Sequence, residues 1–331
     1  MVRAGAPGAD ALREIQAPVR ARLDQVIQEM HRVVTSDLPM IEQVSGHLLS
    51  MHGKMLRPTL VLLASDVEGR GQLRAATLAA IIELMHVATL VHDDSVDHSA
   101  LRRGLPTVNS LFSHQVSVIM GDFLYSRALR ALVAMRDFEV LRIVTDVSNE
   151  MTMGEMRQLA AIDALSFGED DYTALIRAKT ASLLRAACES GALCGAEAFQ
   201  APLARYGDRI GLAFQIVDDI LDYTEDESVT GKPSGNDLRE HKVTLPLIAS
   251  LPALSRGARE RVDALFAADE PSDDMIGDVM AIVSDAGGID YARRRGEQYA
   301  QEAEDALSAI PESPVRTALR DTITYVTGRR A

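Results

Sequence analysis

The sequence predicts an all-α protein, a single large helical bundle around a central cavity. Apolar residues recur at helical spacing through the longest oily stretches, no convincing run of alternating strand residues occurs, and turn signals lie far apart. Aromatics make up only 4% of the 331 residues and tryptophan is absent, so the core must be aliphatic. With 47% hydrophobic residues, a chain of this length buries a sizeable core.

In chain order, residues 1–17 lack the apolar core of a signal peptide, and residues 1–15 are expected to be poorly ordered. ATLAAIIELMHVATLVHDD (76–94) is apolar nearly all round, which marks a buried helix. Its oiliest part, Ala75–Val91, is interrupted by Glu83 and His86 and reads as too short to span a bilayer. No transmembrane segment is therefore expected, and the chain reads as soluble. NSLFSHQVSVIMGDFLYSRALRALVAM (109–135) and RIGLAFQIVDDILDYTED (209–226) read as further buried helices, and SPVRTALRDTITYVTGRR (313–330) as an amphipathic closing helix. Gly and Pro cluster around His52–Pro58, Val67–Gln72, Arg103–Pro106, Phe167–Asp171, Val229–Asp237 and Pro252–Gly257. None is long enough for an interdomain linker, so residues 1–331 read as one domain.

A net charge of −14 and a pI near 5.0 argue against nucleic acid as a partner and leave no polybasic membrane patch. Cys188 and Cys194 make neither a disulfide framework nor a zinc site, and read as small core residues in a reducing cytoplasm.

The chemistry lies in an internal echo. HDDSVD (92–97) and VDDILD (217–222) place Asp93, Asp94 and Asp97 at the same spacing as Asp218, Asp219 and Asp222, each set after an oily helix. Carboxylates four apart share a helix face and repel. Two such triplets facing one cavity demand divalent cations, and oxygen-only ligands favour Mg²⁺, which keeps waters and bridges to phosphate. Against the acidic background, Lys54, Arg57, Arg102, Arg103, Lys179, Lys232 and Lys242 stand near the expected cavity mouths and would neutralise multiply charged anions. His86 lies two turns before Asp93 and can share its face.

These pieces resemble the trans-isoprenyl diphosphate synthases, nearest the long-chain polyprenyl diphosphate synthases of quinone biosynthesis. The likeness runs from about Gly53 to Pro246. It carries, in order, GKxxRP (53–58), DDxxD with Arg102-Arg103-Gly104, Lys179-Thr180, FQxxDDxxD (214–222), GKxxxxD (231–237) and Lys242-x-Thr-Leu-Pro. One DDxxD alone would be weak; the ordered set is specific. The resemblance implies the isoprenoid synthase fold and condensation of isopentenyl diphosphate with an allylic diphosphate such as farnesyl diphosphate. Asp93, Asp97 and Asp218 would hold Mg²⁺ on the allylic diphosphate, with Arg102, Lys179 and Lys232 helping to bind it. Lys54, Arg57, His86 and Arg103 would hold isopentenyl diphosphate. Thr180 and Gln215 are candidates to stabilise the passing carbocation, and the departing diphosphate is the expected proton acceptor. The resemblance further implies a homodimer; transient membrane contact at product release is left open. His52 and His241 depart from the family, standing where it usually has glycine.

Product length is expected to follow from residues preceding Asp93, each turn back lying about 5.4 Å deeper. Short-chain relatives tend to place an aromatic side chain one turn down; here Ala88 and Thr89 leave the passage open, and Met85 narrows it without sealing it. The expected product is hexaprenyl to decaprenyl diphosphate. The alternatives are a short-chain farnesyl or geranylgeranyl synthase, or a regulatory subunit of a heteromeric synthase, although such subunits tend to lose aspartate motifs that are intact here. A di-iron site built on Glu83-Leu-Met-His86 lacks its second ExxH, and a terpene cyclase would not carry GKxxRP with a second DDxxD.

Overall fold

A computed structural model describes residues 9–51, 53–102, 104–160, 164–224 and 234–328. Its helices are α1 (Ala9–Gln16), α2 (Arg20–Val34), α3 (Pro39–Ser50), α4 (Leu56–Ser65), α5 (Arg74–Val96), α6 (Val108–Leu111), α7 (His114–Ala134), α8 (Phe138–Ala160), α9 (Glu169–Ile176), α10 (Ser182–Ala192), α11 (Gln200–Thr224), α12 (Asn236–Arg239), α13 (Leu245–Ser250), α14 (Arg256–Ala267), α15 (Asp273–Asp285), α16 (Gly288–Leu307) and α17 (Pro314–Thr327). The all-α expectation holds with one addition. Leu101–Arg102 and Leu105–Pro106 pair antiparallel, and Gly104 at φ +75° makes the tight return that a side chain would strain.

α5 runs through the core. Leu78, Ala79, Ala80, Ile81, Ile82 and Leu84 are fully buried, so packing on every side offsets the weak helix preference of its β-branched residues. It is longer than the oily stretch suggests and, among the described residues, is the one helix long and apolar enough to cross a membrane; 67% of its apolar window is instead buried inside the protein. α2, α4 and α7 pack on α5, α10 joins α4 to α11, and α16 lies along α11. The main apolar core extends from Ile15 to Val326. A smaller cluster around Val262, Leu265, Val279 and Val283 gathers α12 to α15.

Ala9–Gln16 form α1, whose Ile15 is only 1% exposed where that face docks on α17. One boundary differs from expectation. The stretch from Asn109 to Met135 is two helices: Phe112 leaves helical geometry, and the Ser113 hydroxyl caps α7 by accepting from the Val116 N–H at 3.2 Å. Both cysteines are buried and free; burial raises both thiols, that of Cys194 to about 11.

Candidate active site

Between α9 and α10 the chain makes one π turn, Arg177–Ala181, carrying Lys179 and Thr180. Such turns add a residue to the helix and re-aim side chains. Two glycines let neighbouring helices close on it: a Cβ on Gly154 of α8 would lie 2.9 Å from the Ala178 Cβ, and one on Gly211 of α11 would lie 2.5 Å from the Ala181 Cα.

The π turn faces a cavity of about 590 Å³. Asp97 at the end of α5, Lys179, Thr180, Gln215, Asp219 and Lys242 all line it, so elements from both aspartate motifs meet one space. The six aspartates nevertheless split by environment. Asp93 is half-buried, and burial raises its carboxyl above the ordinary range; Lys179 opposes this, Glu155 and Asp97 add to it, and Arg102 opposes it. Asp97 is exposed, and Asp218 half-buried.

The other three, which the sequence also grouped with the metal-binding carboxylates, take hydrogen bonds or ion pairs within the protein. Asp94, 6% exposed, accepts from the Arg102 Nε at 2.8 Å and pairs with its Nη2 at 2.7 Å. Asp219, 4% exposed, accepts from the Tyr172 hydroxyl at 2.6 Å and the Gln215 amide at 2.8 Å. Burial first, then the charges of Asp237 and Asp218, push its carboxyl well above the ordinary range, against those two hydrogen bonds. Asp222 accepts from the backbone N–H of Asn236 and Asp237, both at 3.1 Å, and so caps α12. Among the described residues, no three His, Cys, Asp or Glu converge at metal-ligand spacing. Of the remaining three, Asp97 lines the roomy cavity, and its carboxylate oxygens suit a hard cation that keeps waters and bridges to a ligand.

The cations are distributed unevenly. Lys179 pairs with Glu155 at 2.6 Å; both are more than a third exposed, so the pair is weak enough to exchange for phosphate. Burial works against the charge of Lys242, but its pair with Glu240 and the fields of Asp237 and Asp97 hold its pKa above the ordinary lysine value. Lys54 is exposed, its Nζ 5.4 Å from the Tyr325 ring centroid, and Arg57 sits half-buried in the first turn of α4; neither lines the large cavity. Arg103, Lys232 and His52 lie outside the described residues. His241 adopts φ +54°, the conformation glycine takes freely, which accounts for the family's usual residue there. Its Nε2 hydrogen bond to the Ala268 carbonyl, at 2.9 Å, and an edge contact with Phe266 offset that strain.

A smaller pocket of about 40 Å³ runs beside α5 along Glu83, His86, Val87, Leu90 and Asp94, with Arg102 at one end. Ala88 and Met85 lie on the opposite face of α5, 1% and 3% exposed, packed inside the protein, and line neither cavity. Thr89 is half-buried and its hydroxyl donates to the His86 carbonyl at 2.8 Å. Ala88 and Met85 thus face packed protein, while the small pocket lies along the face carrying Glu83, Val87 and Leu90. Sequence reasoning missed Glu155, Tyr172 and the π turn. Tyr172 lies two turns before Lys179, a weak signal on its own; no spacing links α8 to the π turn, which Gly154 brings together.

The model of the Polyprenyl synthetase family matches residues 38–283. The chain is 40% identical over 315 residues to an all-trans-nonaprenyl-diphosphate synthase (geranyl-diphosphate specific) of Rhodobacter capsulatus, covering 94% of this chain and 95% of that one. It is 35% identical over 314 residues to the octaprenyl diphosphate synthase of Escherichia coli, with 94% and 95% covered. Among solved structures it superposes on a polyprenyl synthase from Caulobacter crescentus complexed with calcium and isoprenyl diphosphate, at TM-score 0.91 and 32% identity, covering 97% and 98% of the two chains. A decaprenyl diphosphate synthase from Rhodobacter capsulatus superposes at TM-score 0.88 and 35% identity, covering 96% and 98%.

Proposed function

Since the chain belongs to the polyprenyl synthetase family, we propose that it is a Mg²⁺-dependent synthase of long-chain polyprenyl diphosphates. It is a prenyltransferase of the isoprenoid synthase fold, in a generally metal-dependent family that joins isopentenyl diphosphate to an allylic diphosphate. The observation that carries the reading is the single cavity in which Asp97, Lys179, Thr180, Gln215 and Lys242 meet. Asp93, Asp97 and Asp218 would hold Mg²⁺, which when bound supplies positive charge against the departing diphosphate. Lys179 exchanges Glu155 for that diphosphate, and Arg102, held side-on by Asp94, presents its cation beside it. Thr180 and Gln215 face the carbon from which diphosphate leaves, His86 with Lys54 and Arg57 orients isopentenyl diphosphate, and apolar walls exclude water. The long-chain product, a quinone side chain by resemblance, is supported by the nonaprenyl, octaprenyl and decaprenyl relatives.

Purified chain given Mg²⁺, an allylic diphosphate and excess isopentenyl diphosphate is expected to release hexaprenyl or longer diphosphate. EDTA should abolish this and added Mg²⁺ restore it. A product that stops at farnesyl or geranylgeranyl diphosphate sinks the long-chain reading, and activity that survives EDTA sinks the metal assignment. A cytoplasmic homodimer belongs to the same proposal. Val118, Ile119, Tyr125 and Val133 form an exposed apolar stripe on α7 that a second copy would cover. Sedimentation equilibrium returning a monomer at micromolar concentration would remove the dimer.

A further inference from the structure

Three hydrogen bonds link Tyr172, a buried residue of α9, to the cavity wall. The Tyr172 hydroxyl donates to Asp219 Oδ2 at 2.6 Å, Gln215 Nε2 donates to Asp219 Oδ1 at 2.8 Å, and the Thr180 hydroxyl donates to Gln215 Oε1 at 2.7 Å. We propose that Tyr172 is a positioning residue, which by holding Asp219 fixes the Gln215 amide and leaves the Thr180 oxygen facing the cavity as an acceptor. The inference rests on the prenyltransferase reading above.

Proton inventory carries the argument. An amide has donors on one end only, so with Asp219 accepting from Nε2, Oε1 must face Thr180. With the Asp219 carboxyl ionised, reversing the amide would set two oxygens against each other there and give up the Nε2 donation. Thr180 has one hydroxyl proton, and Oε1 takes it. What remains on the Thr180 oxygen is lone pairs, and Thr180, Gln215, Asp219 and Tyr172 all line the cavity. A carbon becoming cation-like there meets electron density rather than a hydroxyl proton. Without its far end the chain loosens. Asp219 has Tyr172 and Gln215 as its hydrogen-bond donors, and Tyr172, 2% exposed, is held in place by its packing. With the phenol gone, the carboxylate can turn, and the amide and hydroxyl with it.

Tyr172→Phe keeps the ring and deletes the donor. It is expected to lower kcat for a single condensation about 10- to 100-fold, as a small misplacement at the reacting centre does. KM for both diphosphates should stay within about twofold. An allylic diphosphate analogue with a protonated nitrogen at the cationic carbon should lose affinity by the same factor, while its neutral carbon isostere binds unchanged. Thr180→Val should mask the effect, the double variant being no slower than Thr180→Val alone. Near wild-type kcat, equal losses for charged and neutral analogues, or additive losses in the double variant would each overturn the positioning role. If Tyr172→Phe does not fold, a fluorinated tyrosine at 172 decides: it keeps the shape and donates more strongly. It should change kcat and analogue affinity together, and no change in either overturns the proposal. Wild-type protein without prenyltransferase activity would overturn the functional reading; an active wild type beside an unaffected Tyr172→Phe overturns only the inference.

Discussion

Asp93→Ala is expected to lower turnover about 10³-fold or more at saturating substrates, while far-ultraviolet circular dichroism stays unchanged. A cation on a leaving diphosphate contributes several kcal/mol of transition-state stabilisation, and each ~1.4 kcal/mol is a factor of ten. Stability should move the other way. Burial, with Glu155 and Asp97 nearby, raises the Asp93 carboxyl, so its charged form is disfavoured in the folded protein. An acid raised on folding stabilises while protonated and loses that contribution as pH rises from its unfolded pKa through its folded one. Asp93→Asn should therefore leave metal-free protein at least as stable as wild type at neutral pH. Asp94→Ala provides the contrast. It strips the carboxylate from a partly buried Arg102, and thermal unfolding should register a loss of about 1–3 kcal/mol. Near wild-type turnover in Asp93→Ala removes the metal assignment; an unshifted melting temperature in Asp94→Ala removes the anchoring role.

Gly211→Ala is expected to cost both stability and turnover although it touches no proposed ligand. The new Cβ would stand 2.5 Å from the Ala181 Cα, and backbone cannot step aside as a side-chain tip can. One turn earlier, Gly207 makes the same kind of approach, its Cβ position 2.6 Å from the Leu184 carbonyl oxygen, so α11 is close to the π turn and α10 along two turns. Overpacking of this kind costs about 1–3 kcal/mol. Pushing α11 outward also parts Thr180 from Gln215, four residues after Gly211, and turnover should fall about 100-fold. Gly277→Ala is the control: nothing lies within 4 Å of its Cβ position in the exposed face of α15, so it should stabilise by about 0.5–1 kcal/mol. Calorimetry and steady-state rates on both variants check this, and a Gly211→Ala protein with wild-type rates would sink the close-packing argument.

Much of the molecule was legible beforehand because it is written in local pattern. The helical periods of α5, α11 and α17 and the two aspartate triplets depend on residues within a few positions of one another, and spacing on a helix sets which of them share a face. Ser113 was legible in principle as an N-cap signal inside an apparently continuous apolar run. What could not be read is which face meets which neighbour. The stripe carrying Glu83, Val87 and Leu90 opens to a pocket while Ala88 and Met85 are sealed, a rotation about the axis of α5 that helices packed from distant sequence impose.

By itself the sequence determined an all-helical chain, its family, and where phosphate and metal chemistry must gather, because ordered motifs and like-charged triplets constrain chemistry before any folding. The tertiary structure alone decided the division of labour within those motifs. Asp93, Asp94 and Asp97 match Asp218, Asp219 and Asp222 position for position, yet Asp94 anchors Arg102, Asp219 holds Tyr172 and Gln215, and Asp222 caps α12. The reason is desolvation: a carboxylate turned into the protein must find donors there, and while Arg102 and Gln215 are near in sequence, Tyr172 of α9 and the first amides of α12 come within about 3 Å only through folding.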